Sequence, residues 1–169
     1  MMGKDIEVDE LTLAGFTLYK KEIGKLPTDY SNQIKESGQY KRNACHMNSR
    51  YAAIFVLYPD CENRIVEGIV ICEDGLCFEH FWNRVCSEKE EADFDLTLDV
   101  IGSDHEKCTP KKYFEYKTYK VSEMRTDNSF SIEMNDIVVD YYRRYPEHKE
   151  RYFQLKAQID GKLPACSVL

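Results

Sequence analysis

The chain has 169 residues and a formal net charge of −7. A hydrophobic share of 43% suffices for one packed domain and excludes an intrinsically disordered chain; the acidic balance leaves no dense basic patch for nucleic acid. No apolar run reaches the length of a membrane-spanning helix.

Residues 1–10 read as a polar lead-in. Phe16, Tyr19, Ile23 and Leu26 then recur at helical spacing, which predicts a helix over 12–25 closed by Pro27. A short helix over 30–36 ends at Gly38, and Asn43 or Ala44 opens a third helix reaching about Leu57. Its inward face is expected to carry Met47, Tyr51, Ile54, Phe55 and Tyr58. The period then changes. Arg64 to Cys72 and Leu76 to Val85 read as two strands joined by the turn Glu73-Asp74-Gly75, a hairpin. A third strand is expected around Phe94 to Ile101, a fourth over Lys111 to Val121 and a fifth over Phe130 to Met134. Two helices close the pattern. Asn135 or Asp136 caps the first, with Val138, Tyr141, Tyr142 and Tyr145 inward; Pro146 starts the second, with Tyr152, Leu155 and Ile159 on one face. The order is helices, antiparallel strands, helices: an α+β domain, expected over 1–162, with a flexible tail over 163–169.

One constellation carries chemistry. Cys45 falls at a predicted helix start, where the positive end of the helix dipole favours a thiolate. His80 lies within a strand and Asp95 on the next. If those strands pair, the carboxylate binds one imidazole nitrogen and leaves the other to face Cys45: a nucleophile, a base and an orienter.

Cys45, followed by His80-Phe81-Trp82 and Asp95-Leu96-Thr97, resembles the core of transglutaminase-like and papain-like cysteine enzymes. Those read Cys at a helix start, His-Ala-Trp on a strand and Asp-Pro-Thr on the next. Val66-Glu67-Gly68 and Cys45-His46-Met47-Asn48 are similar to further stretches of that family. Asn43, Leu96 and Asn83 depart from its usual residues and put the substrate class in question. The resemblance implies a cysteine-dependent hydrolase or acyltransferase, with Cys45 as nucleophile, His80 as proton carrier and Asp95 as orienter. It needs no metal and no organic cofactor. The partner expected is a polypeptide or other amide substrate, processed by proteolysis, deamidation or transamidation. Gln39, six residues before the cysteine, has the spacing of the family's oxyanion donor, which would act with the Cys45 N–H. Trp82 is expected to pack under the site.

Other readings remain open. The rival from another class is a non-catalytic interaction module on the same fold. Cys72, Cys77, His80 and Cys86 lie close enough in sequence for zinc, but no CxxC occurs and strand alternation points Cys77 away from His80. Seven cysteines at irregular spacing, with no signal peptide ahead of them, read as reduced thiols in the cytoplasm. Arg143, Arg144, Lys149, Arg151 and Lys156 form a solvated helix face balanced by Glu147 and Glu150, or a weak surface for anionic membrane. Cys166-Ser167-Val168-Leu169 fits the prenylation pattern whose final leucine usually selects geranylgeranyl, on an incidental thiol otherwise. A prenylated Cys166 would place the protein at a eukaryotic membrane surface, its own or that of a host in which it is an effector.

Overall fold

The computed structural model describes residues 8–41, 44–55, 60–101, 112–125, 127 and 129–159. It opens on a hairpin where the sequence spacing predicts a helix. Strands β1 (Glu10–Leu13) and β2 (Phe16–Lys21) are joined by Ala14 and Gly15, with φ of 50° and 83°. Two successive positive φ values make a tight turn whose twist suits flanking strands. Leu11, Leu13 and Leu18 are buried together. That period of two prevails over the looser helical spacing of Phe16, Tyr19 and Ile23. A two-residue strand, β3 (Ile23–Gly24), follows after Glu22 alone. Helix α1 (Thr28–Ser37) covers the expected second helix and ends at Gly38, whose φ of 63° is the left-handed helix stop.

The predicted hairpin is present. Strand β4 (Glu62–Ile71) pairs antiparallel with β5 (Cys77–Cys86) along its whole length. Strand β6 (Glu91–Phe94) is shorter and earlier than expected, because the chain turns at Asp95 into a π-helical segment, Leu96–Ile101. Strand β7 (Lys112–Lys120) completes a seven-stranded mixed sheet in the order β1-β2-β7-β4-β5-β6-β3.

That order has a geometric consequence. Strands β2 and β3 occupy the second and last places, yet one residue separates them. Consecutive Cα atoms are about 3.8 Å apart, so the sheet curls until β6 meets the N-terminal strand. The result is a partly closed barrel of five strands: β2 running into β3, then β7, β4, β5 and β6. Alternating directions cannot close a ring with an odd number of strands. The pair β3–β6 is accordingly parallel, while the other pairings are antiparallel.

Inside the barrel Val66, Val70, Trp82 and Tyr113 pack with Ile23 from β3 and Leu98 from the π-helical segment. The closure is tight at Gly68, beside a register shift between β4 and β7. A β-carbon there would run into the Phe114 carbonyl and the Trp82 ring. Outside, Ile69, Ile71, Cys77 and Phe114 pack with Ile137, Val138 and Tyr141. These belong to helix α3 (Ile132–Arg144). It begins inside the stretch 130–134 expected as a strand. Buried Glu67 explains the change: it accepts hydrogen bonds from the Ser131 N–H (2.5 Å) and hydroxyl (2.6 Å) and anchors the helix start. A 3₁₀ turn at Pro146–His148 leads to helix α4 (Lys149–Ile159). Tyr142 then ties α3 to β5, donating to the Cys77 carbonyl (2.6 Å) and accepting from its N–H (2.8 Å).

Helix α2 (Cys45–Phe55) starts at the expected cysteine but turns a different face inward. His46, Ser49, Ala52 and Ala53 are buried, while Met47 and Ile54 are exposed. The cause lies in β5. Strand β6 pairs only with Asn83 to Cys86, leaving Cys77 to Trp82 without a strand on that side. The helix fills the vacancy with small residues at close range. Ser49 Oγ donates to the Phe81 carbonyl (3.1 Å), and Asn83 Nδ2 donates to the Ser49 carbonyl (2.7 Å). Among the described cysteines, Cys45, Cys61, Cys77 and Cys86 are free, whereas Cys72 is disulfide-bonded. The expectation of uniformly reduced thiols is corrected at that position. Among the described residues no helix is long and apolar enough to cross a membrane. Cys166 and the tail over 163–169 lie outside the described residues.

Candidate active site

Cys45, His80 and Asp95 come together where β6 leaves β5. Cys45 is the first residue of α2, half-buried against Phe81, Ile65 and Ala53. The first bond of that helix runs from the Asn48 N–H to the Ala44 carbonyl (2.9 Å). The amides ahead of it, Cys45 included, have no acceptor within the helix. Side chains at Phe81 and His80 leave β5 in opposite directions, and a helix start at the strand's uncovered side reaches both. The Cys45 sulfur accordingly lies close enough to the His80 imidazole to raise its proton affinity.

His80 is fully buried on the inner face of the barrel. Its ring stacks with Trp82 (centroids 6.4 Å apart, planes 20° apart) and leans on Tyr113 and Phe78. Trp82 does pack beside the histidine, and its own N–H donates to Asp93 Oδ2 at 2.8 Å. That carboxylate is in turn held by Nε and Nη2 along one edge of the Arg84 guanidinium (2.6 and 2.9 Å), which also reaches Glu115 (2.7 Å). The stack under His80 therefore rests on a buried ionic network.

The His80 Nε2–H donates to Asp95 Oδ2 at 2.9 Å. Nδ1 is thereby left for Cys45. Asp95 is buried, and donors surround its carboxylate. Oδ1 accepts the N–H groups of Thr97 (3.0 Å) and Leu98 (2.9 Å); Oδ2 also takes the Tyr113 hydroxyl at 2.6 Å. The same side chain thus orients the imidazole and caps the π-helical segment. Burial alone would raise its pKa; the charge and hydrogen bond of His80, then Tyr113 and the Leu98 amide, hold it below the usual carboxylate range. Burial likewise works against a charged His80. The Asp95 carboxylate and the Cys45 sulfur overcome it and raise the imidazole to about 10. Both directions favour the imidazolium–carboxylate form of the pair.

These shifts set a pH dependence. An imidazole raised on folding stabilises the fold fully below its unfolded value near 6.5, and that contribution disappears as pH rises to about 10. Asp95, lowered on folding, contributes above about 3.9 and loses its share as pH falls through its folded value. The unfolding free energy of the wild type relative to His80→Gln, from urea titrations, should be larger at pH 6 than at pH 10. A difference independent of pH over that range would mean that native His80 is neutral.

Two residues support the site, and the sequence reading gave neither that role. Tyr113 sits on β7, among alternating aromatics that give it no distinction. Asn48 is buried and clips three segments together: its Nδ2 donates to the Lys41 carbonyl (2.7 Å) and Thr97 Oγ1 (3.0 Å), and its Oδ1 accepts the Lys41 N–H (3.1 Å). A polar residue one turn after the candidate nucleophile, on the side facing the strand, is the signal that could have found it. Gln39 is exposed on the segment between α1 and α2. Lys41, two residues on, is the point where that segment is tied to the nucleophile helix.

Among the described residues no three His, Cys, Asp or Glu side chains converge as a metal site. Cys77 lies on the outer face with Ile71 and Phe114, across the sheet from His80. The chain matches no protein-family model, no curated protein and no solved structure.

Proposed function

We propose that the chain is a cysteine-dependent hydrolase or acyltransferase of the papain-like and transglutaminase-like kind, acting on an amide of a peptide bond or a glutamine side chain. The observation that carries the reading is one chain of neighbours running from a half-buried thiol to a buried carboxylate. The thiol at a helix start lies against an imidazole, one nitrogen of which is 2.9 Å from a carboxylate satisfied on both oxygens. Cys45 attacks the carbonyl carbon, and the thioester forms as the C–N bond breaks. The proton for the departing amine comes from His80, with Asp95 holding the ring in register. Cys45 thus enters as the thiolate. Water or an acceptor amine, deprotonated by His80, then adds to the thioester. The C–S bond breaks to release the acyl group and return the thiolate beside the imidazolium. The Cys45 N–H, with Gln39 as its proposed companion, donates to the oxyanion. The bottom of the site is closed by Trp82 and Tyr113, so substrate approaches from the half-exposed side of Cys45.

The test is a library of peptides and glutamine amides offered to the wild type and to Cys45→Ala. Turnover by the wild type alone supports the reading. No turnover at all, with Cys45 alkylated no faster than half-buried Cys61 and Cys86, would favour an interaction module instead.

A further inference from the structure

We propose that Tyr113 is a fourth, positioning member of the site, which acts through Asp95 to set the proton affinity of His80; the inference rests on the triad reading above. Tyr113 and His80 share one acceptor atom. Both donate to Asp95 Oδ2, the phenol at 2.6 Å and the imidazole at 2.9 Å. Oδ1 is occupied by two backbone amides, so the carboxylate has no other oxygen to offer.

A short bond from a neutral hydroxyl withdraws charge from the oxygen it meets. What the phenol takes from Oδ2, the imidazolium does not receive. The phenol also fixes the carboxylate plane, which the backbone amides alone leave free to pivot about Oδ1. Tyr113 is itself held. It lies 4% exposed, edge-on to Trp82 with ring centroids 5.4 Å apart, on a strand paired with β4 at Val70. The hydroxyl is thus a built part of the barrel interior.

Among the described residues, three polar groups face His80. Asp95 meets it from the end of β6, Cys45 from α2 and Tyr113 from β7; Trp82 separates it from the charges of Asp93 and Arg84. Removing the phenol therefore acts on His80 through Asp95, as a stronger pull of the carboxylate on the imidazolium.

The experiment follows the His80 Cε1–H signal by NMR as pH is raised, in the wild type, Tyr113→Phe, Asp95→Asn and the double variant. Four histidines make assignment by single substitution practical. Tyr113→Phe should move the His80 midpoint upward by about half a unit. In the Asp95→Asn background the same change should move it by nothing measurable, because the route passes through the carboxylate. A midpoint that stays put or falls in Tyr113→Phe would overturn the proposal, as would an equal shift in both backgrounds. Failure of the triad reading looks different: the His80 midpoint would lie near the ordinary 6.5 in the wild type and would ignore Cys45→Ala.

Discussion

Cys45→Ala and His80→Ala are each expected to remove amide turnover by a factor on the order of 10⁶. The two losses should be nearly equal and not additive. Without the sulfur there is no acyl-enzyme, and without the imidazole the amine leaves unprotonated and the second nucleophile arrives unactivated. The variants differ in what else they disturb. Cys45 is half-buried at a helix start, and alanine there keeps the helix. His80 is fully buried between Trp82 and Tyr113, so its removal leaves a hole and an unpaired carboxylate. His80→Gln is the fairer comparison, and a melting curve should accompany every rate. Single-turnover kinetics with a substrate from the library gives the readout. A Cys45→Ala protein that retains wild-type turnover places the nucleophile elsewhere.

The second large effect concerns stability. Asp95→Ala should cost about 3–5 kcal/mol, read from urea unfolding at neutral pH, because it strands a buried charge and four donors at once. The imidazolium of His80 loses its counter-ion. The Tyr113 hydroxyl and the amides of Thr97 and Leu98 lose their acceptor. Asp95→Asn keeps the shape and one acceptor oxygen, and should be milder in stability while still lowering turnover about 10²–10⁴-fold. An Asp95→Ala protein as stable as the wild type would show that the carboxylate neither bears charge nor caps the π-helical segment.

The meeting of Cys45, His80 and Asp95 was legible in the sequence because each depends on a local signal: a helix start, a strand within a hairpin, and an aspartate two residues ahead of a threonine. The hairpin itself was legible from β-branched residues on either side of Glu73-Asp74-Gly75. The aspartate signal was read only halfway. Asp95 with Thr97 is a capping pattern as much as a strand end, and the backbone follows the cap. The failures share a cause. Phe16, Tyr19 and Ile23 fit a helical period, but Leu11, Leu13 and Leu18 are buried by partners from the far end of the chain. Phe130 to Met134 looked like a strand because nothing near it in sequence announces Glu67, whose carboxylate starts the helix. On α2 the apolar residues Met47 and Ile54 drew the inward face toward themselves. Close approach to a strand backbone instead selected Ser49 and Ala52. Tyr113 was hidden for the same reason. Its role exists only once β7 lies beside β4.

The odd strand count bears on when the candidate site is completed. The β4–β5 hairpin joins neighbours in sequence and can assemble early, bringing His80 and Trp82 into register. The seam that shuts the barrel joins Ile23 to Asp93 and Gly24 to Phe94, contacts with a long loop to close and an entropic delay to match. Phe94 is the residue next to Asp95. The carboxylate that meets His80 is therefore seated beside a long-range contact supplied by the N-terminal segment. On the proposed reading, a chain that has not closed this seam has a thiol without the carboxylate that would direct it.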